Sequence, residues 1–67
     1  MPDGKVIGER IKKNRIRLDL TQEQLAEKVN VKTSAISMYE TGERMPRDET
    51  KKRLATLFGM TIDELFF

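Results

Sequence analysis

The side chains in this sequence that could act on a ligand are hydroxyls, amides and cations rather than catalytic groups. There is no histidine, which removes the commonest general base, and no cysteine, which removes thiolate nucleophiles and thiolate metal sites. The sequence also has no glycine-rich phosphate loop. It therefore indicates a protein that binds a partner, with no catalytic residues, no metal and no cofactor.

A run of short polar residues is the most informative of these groups. Its members fall on the outer side of one helical pattern: Lys32, Thr33, Ser34, Ser37, Met38 and Thr41. Hydroxyls can bond to several base edges, a lysine can reach guanine or a phosphate, and a methionine can touch the methyl group of thymine. Taken alone, such a run is more often a solvated helix face than a binding surface. Within the motif described next, we expect DNA base contacts from Lys32, Thr33, Ser34, Ser37 and Met38.

Two short helices joined by a tight turn must position these side chains. Thr21 starts the first helix with a Thr-x-x-Gln capping box. Asn30 follows its last apolar residue and tolerates the left-handed backbone that a sharp turn requires. A second helical pattern starts two or three residues later and ends at Gly42. This spacing over residues 21–42 is that of a helix-turn-helix.

The rest of the chain supplies the core that these two helices need, because neither is long enough to be stable alone. Apolar residues recur at helical spacing between residues 6 and 18, and Asp48 begins a further helix after a proline-containing loop. A capping box at Thr61 starts a short last helix. No strand-like alternation occurs, so the sequence predicts one all-α domain of five helices over residues 1–67.

Positive charge is unevenly distributed, although the net charge is only +2. Residues 1–20 carry six basic side chains and residues 43–53 carry five, whereas residues 54–67 carry none. A polyanion partner fits that polarity, although a solvated surface explains the charge alone equally well. No apolar run approaches the roughly 20 residues of a membrane span, and the N-terminus has no signal-peptide core. We therefore expect a cytoplasmic, nucleoid-associated protein with no membrane partner.

The stretch TQEQLAEKVNVKTSAISMYETGERMP resembles the Cro/C1-type helix-turn-helix family, also called the xenobiotic-response-element (XRE) family, to which lambda-type phage repressors belong. The resemblance runs from about residue 7 to residue 65 and includes the closing IDEL. It rests on Gln22, Leu25, Ala26, Val31, Ile36, Glu40, Gly42 and Pro46. Two positions depart from the family pattern: Asn30 stands where glycine is usual, and Lys32 stands where a helix-capping residue is usual.

The resemblance implies a compact lambda-repressor-like bundle that binds a double-stranded DNA operator and regulates transcription, with repression the expected role. It implies contacts to DNA phosphates from Gln22, Thr41, Arg44 and Arg47. The family also carries an Arg–Glu bridge at positions that match Arg15 and Glu40. Since both residues fall on core-facing helical stripes, we expect a partly buried salt bridge between them.

An apolar C-terminal end predicts self-association. Met60, Phe66 and Phe67 exceed what a short helix can bury against itself, so we expect them to form a homodimer contact, at least on DNA. Such a dimer would bring two motifs to successive major grooves, roughly 34 Å apart. Two alternatives stay open: an antitoxin or restriction-controller protein with the same domain, and a protein-interaction module built on the same helices.

Overall fold

The computed structural model describes residues 2–67, which form five α-helices and no strand. The helices are α1 (Gly4–Arg17), α2 (Gln22–Val29), α3 (Thr33–Thr41), α4 (Asp48–Phe58) and α5 (Ile62–Phe66). The predicted all-α architecture is confirmed. The first helix begins two residues earlier than the predicted range 6–18, because the carboxylate of Asp3 caps it by accepting the Val6 N–H at 2.9 Å. Over residues 2–67, each helix is too short or too polar to cross a membrane.

One hydrophobic core joins all five helices. The side chains with no exposed surface are Ile11, Leu25, Ile36, Leu54, Leu65 and Phe66. Every helix contributes at least one of them, so α2 and α3 are stabilised by burial against α1, α4 and α5 rather than by their own length. Small Ala26, 2% exposed, allows the two helices of the motif to pack closely.

The tightest contact in the fold lies between α1 and α3, where backbone meets backbone. A Cβ atom added at Gly8 would lie 2.4 Å from the carbonyl oxygen of Glu40. Gly42 ends α3 with φ of 83°, in the left-handed region, and a Cβ there would lie 2.8 Å from the Lys5 nitrogen. At Gly4 the nearest atom would be the Gly42 carbonyl oxygen, at 3.1 Å. We call this contact, through Gly4, Gly8 and Gly42, the α1–α3 seam.

The C-terminal end differs from the prediction at one residue. Phe66 has no exposed surface, so the prediction that its ring belongs to an external dimer contact is wrong. The single turn of α5 directs both Leu65 and Phe66 into the core, and the ammonium group of Lys51 lies 5.3 Å from the Phe66 ring centroid. Phe67 is 57% exposed and Met60 is half-buried, so these two remain available for a contact.

Candidate nucleic-acid interface

The α2–α3 turn is built as the sequence predicts. Thr21 Oγ1 accepts the Gln24 N–H at 3.0 Å, and the Gln24 side-chain oxygen accepts the Thr21 N–H at 2.9 Å, which completes the capping box. Asn30 adopts the left-handed conformation with φ 59° and ψ 49° and ends α2. The N–H of Val31 then donates to the Ala26 carbonyl at 3.0 Å. These bonds fix where α3 begins.

The outer face of α3 follows from what the helix buries. Ile36 is fully buried and Tyr39 is 5% exposed, so the opposite side of the helix meets solvent. Of the predicted base contacts, Lys32, Thr33 and Ser34 are exposed and Ser37 and Met38 are half-buried. The N-terminal half of α3 therefore offers the most accessible side chains.

A groove lies beside this face, between α3 and the start of α4. Its volume is about 370 Å³, and we call it the α3–α4 groove. Its walls bring together two of the predicted base contacts, Lys32 and Ser34, and two of the predicted phosphate contacts, Arg44 and Arg47. The remaining lining residues are Asn30, Val31, Ala35, Tyr39, Glu49, Thr50 and Arg53. Five of its lining residues carry a formal charge: four are cations, and Glu49 is the single carboxylate.

The helices that border this groove begin differently from the others. The starts of α1, α2 and α5 are capped by the side chains of Asp3, Thr21 and Thr61. The starts of α3 and α4 have Lys32 and Arg47 at the N-cap position, and neither makes a side-chain cap. Free N–H groups with a cation beside them favour an anion at both helix starts.

The predicted ion pair is present and belongs to a larger network. Arg15 Nε donates to Glu40 Oε2 at 2.6 Å and Arg15 Nη2 donates to Glu40 Oε1 at 3.2 Å, a bidentate pair between α1 and α3. Its side chains are 12% and 4% exposed. Arg15 also donates to the Leu20 carbonyl at 2.7 Å. The network fixes α3 to α1 and to the link that precedes α2.

Gln22 joins this network, which sequence reasoning did not foresee. Its amide nitrogen donates to Glu40 Oε1 at 3.0 Å, so one of its two N–H groups is already engaged. The second N–H is the donor left for a phosphate. Gln22 does not line the α3–α4 groove and lies instead at the start of α2.

The other predicted phosphate contacts lie at the last residue of α3, which is Thr41, and in the loop that follows it. The N–H of Arg44 donates to the Met38 carbonyl at 3.3 Å, which ties the loop to α3. Both Arg44 and Arg47 are exposed, with buried Pro46 between them. Thr41 Oγ1 lies 3.0 Å from a carboxylate oxygen of Glu43, an unfavourable neighbour for a phosphate. The two arginines are therefore better placed for an anion than Thr41.

Two lining residues of the groove were not singled out in the sequence. Tyr39 was assigned only to the core, yet it also borders the groove. Arg53 was counted only as part of the positive charge of residues 43–53, although Glu49, four residues earlier, is a signal for an ion pair on one helix face. The spacing of apolar residues in α4 predicted which side of the helix is buried. It gave no indication that Arg53 borders the groove.

The chain is similar to known proteins over most of its length. The family model described as helix-turn-helix matches residues 11–65. The chain is 44% identical over 57 residues to the HTH-type transcriptional activator BcrR of Enterococcus faecalis, a match that covers 85% of this chain and 28% of that protein. It spans between 28% and 53% of the length of several of the curated relatives that it matches.

Solved structures show the same fold. The P22 c2 repressor, solved in complex with a synthetic operator, superimposes with a TM-score of 0.85 at 34% identity, covering 88% of this chain and 89% of that one. The restriction-modification controller protein C.AhdI from Aeromonas hydrophila gives a TM-score of 0.83 at 29% identity, covering 92% and 94%.

Proposed function

The chain belongs to the Cro/C1-type helix-turn-helix family, and from that premise we propose that it is a sequence-specific DNA-binding regulator of transcription. The observation that carries the proposal is the polar outer face of α3 beside a cationic groove, on a helix whose other side is locked in the core. The proposed role is binding, in the cytoplasm, with no catalytic step. The partner is a double-stranded DNA operator.

The side chains divide into those that read bases and those that position the protein. In helix-turn-helix complexes the N-terminal part of the second helix reaches deepest into the major groove. Thr33 and Ser34 are therefore assigned to base edges, with Lys32 beside them and with Ser37 and Met38 one turn further on. Phosphates are assigned to Arg44 and Arg47 at the groove, and to Gln22 and Thr41 at the margins.

Repression is the proposed mode of regulation. A bundle that binds an operator can repress by occupying the DNA, and the crystallised chain of the P22 c2 repressor shares the fold over 89% of its length. A second candidate is control of a restriction–modification system, because C.AhdI covers nearly the whole of this chain. Both candidates use the same DNA interface, and the selected operator sequence and its genomic position would distinguish them.

The experiment selects bound sequences from a random DNA pool and then compares variants on the selected operator and on scrambled DNA. Ser34→Ala or Met38→Ala should change the preferred base at one position, at a cost of about 1–3 kcal/mol on the operator. Arg44→Ala should weaken binding to both DNAs alike and lower the salt slope by about one, because one phosphate contact is lost. Gln22→Ala should also weaken both DNAs alike.

Thr56→Ala is the matched control, because Thr56 is exposed on α4 outside the α3–α4 groove. It should leave both binding constants unchanged. Equal losses on operator and scrambled DNA for Ser34→Ala and Met38→Ala would contradict the assignment of α3 as the reader. Absence of salt-dependent DNA binding would instead favour the alternative of a protein-interaction module, since counterion release accompanies every phosphate contact.

We also propose that the protein dimerises on its operator through the C-terminal end. Phe67 is 57% exposed, and Met60 and Ile62 are half-buried apolar residues that pack against the core. Phe67 and Ile62 line one shallow apolar groove with Lys51 and Lys52. Two copies related by a two-fold axis would bury this surface and present two α3 helices to successive major grooves.

Sedimentation with and without operator DNA tests the dimer. We expect monomers in dilute solution and two copies on each operator. Phe67→Ser should abolish the second copy, whereas Ile16→Ser is a matched control, because Ile16 is also 57% exposed but lies on α1 in a different groove. One copy per operator at high micromolar concentration, or equal effects of the two variants, would rule out this contact.

A further inference from the structure

The α3–α4 groove contains a carboxylate, although a surface that binds DNA phosphates favours cations. Among its lining residues, Glu49 is the only acidic side chain, and it faces the same space as Arg44, Arg47 and Arg53. Asp48, its neighbour in the first turn of α4, lines a different groove with Lys51 and Phe67. Helical geometry thus places two adjacent carboxylates on two different surfaces.

Glu49 forms an ion pair with Arg53 that a stronger anion can replace. Arg53 Nη2 donates to Glu49 Oε1 at 2.7 Å, and the two side chains are 42% and 76% exposed. Solvent-exposed pairs of this kind contribute little to stability. Arg53 Nη1 donates to the Val29 carbonyl at 3.3 Å, which holds the guanidinium group at the end of α2. Since a guanidinium has five N–H donors, Arg53 keeps donors for a further acceptor.

We propose that Arg53 is an additional contact to the DNA backbone and that Glu49 competes with the phosphate for it. The inference rests on the proposed function. A phosphate that entered the groove beside Arg44 and Arg47 would meet Arg53 at the wall, and guanidinium binds phosphate in the same bidentate manner as carboxylate. Glu49 Oε1 already occupies one N–H of Arg53 Nη2, and its negative charge repels the phosphate, so the carboxylate lowers the affinity for every DNA sequence alike.

The consequence for function is a lower affinity for all DNA, with the discrimination between sequences unchanged. Backbone contacts strengthen operator and non-specific binding together, because they carry no sequence information. A groove with a neutral residue at position 49 would hold all DNA more tightly. Glu49 therefore lowers operator and non-specific binding by the same factor, without touching the α3 side chains assigned to bases.

The test compares Glu49→Gln with Asp48→Asn. Both variants remove one negative charge from the first turn of α4, so the net charge and the effect on the helix dipole are matched. Binding to the selected operator and to scrambled DNA is measured at several salt concentrations. Glu49→Gln should tighten binding to both DNAs roughly three- to tenfold at low salt and steepen the salt slope by about one. Asp48→Asn should give no more than about a twofold gain with an unchanged slope.

Arg53→Gln then shows whether the gain passes through Arg53. In that background, Glu49→Gln should give no more than Asp48→Asn gives. Circular dichroism checks the fold of the Arg53 variant, and the comparison of the two exposed acidic residues stands without it. Equal gains from Glu49→Gln and Asp48→Asn, with normal operator binding, would overturn this inference alone. A wild-type protein that bound no DNA would overturn the proposed function and this inference with it.

Discussion

The two sides of α3 meet the rest of the molecule in opposite ways. At the α1–α3 seam, backbone lies against backbone through Gly8, and the buried Arg15–Glu40 pair closes the contact. At the α3–α4 groove the helix faces open space, and the one ion pair that borders it, Glu49–Arg53, is largely exposed. The seam side engages the Glu40 carboxylate, whereas the groove is lined by exposed Ser34 and by Tyr39.

The difference shows how a short helix can hold a fixed position and still serve as a binding surface. The contacts that fix the position of α3 lie on its buried side, and they tolerate almost no change in side-chain volume. The other side then needs no stabilising contacts of its own. Its polar groups remain available to a ligand, and variants on the two sides should fail in different ways.

The largest effect is expected at the seam, from Gly8→Ala. The new Cβ would lie 2.4 Å from the Glu40 carbonyl, and backbone atoms cannot move aside as a flexible side chain can. We expect a loss of at least about 3 kcal/mol in the free energy of unfolding, which is most of the stability of a domain of this size. Urea denaturation measures it.

Gly4→Ala is the graded control for that prediction, since its nearest atom would be at 3.1 Å. It should stay within about 1 kcal/mol of the wild type, because a small adjustment relieves the contact and alanine favours the helix. Similar stabilities for the two variants would show that the seam is not rigid.

Breaking the buried ion pair should have the next largest effect. Glu40→Gln or Arg15→Met leaves one charge buried without its partner and should cost about 3 kcal/mol. Glu49→Gln, which breaks the exposed pair at the groove, should change stability by no more than about 0.5 kcal/mol. Thermal melting of the three variants checks the contrast. Unchanged melting temperatures for Glu40→Gln and Arg15→Met would mean that the buried pair contributes nothing to stability.

The smallest effect concerns the helix starts. The change in stability should have opposite signs at the capped start of α2 and at the uncapped start of α3. Thr21→Ala removes a capping side chain and should cost about 1 kcal/mol. Lys32→Ser supplies a cap that α3 lacks and should add about 0.5–1 kcal/mol, while DNA binding weakens and its salt slope falls by about one. Denaturation and DNA titration of both variants measure this. A destabilised Lys32→Ser protein would show that the α3 start is already satisfied.

The fold was predictable from sequence because single residues specify its helix boundaries. Thr21, Asn30 and Gly42 each specify a helix boundary through their own backbone or side-chain chemistry, and the structure has all three as expected. The burial of Phe66 was not predictable in this way. Two consecutive aromatic residues look alike in sequence, and only the position of α5 against the core decides which of them turns inward.

The residue types of the site were predictable from sequence, whereas the contacts between residues far apart in the chain were less so. The polar face of α3 follows from the inward positions of Ile36 and Tyr39. The close approach at Gly8 left no periodic signal, because a glycine has no side chain to contribute to a pattern. The bond from Gln22 to Glu40 joins residues 18 apart in sequence, and only the packing of α2 against α3 brings them together.

The burial of Phe66 also sets an order of events during protein synthesis. A ribosome releases α1 to α4 before α5. Helix α3 therefore emerges before Leu65 and Phe66 can complete the core against which it packs. Until Leu65 and Phe66 dock, the apolar surface that they later cover is open to chaperones and proteases. Release of the whole of α5 is therefore a condition for completing the core that holds α3.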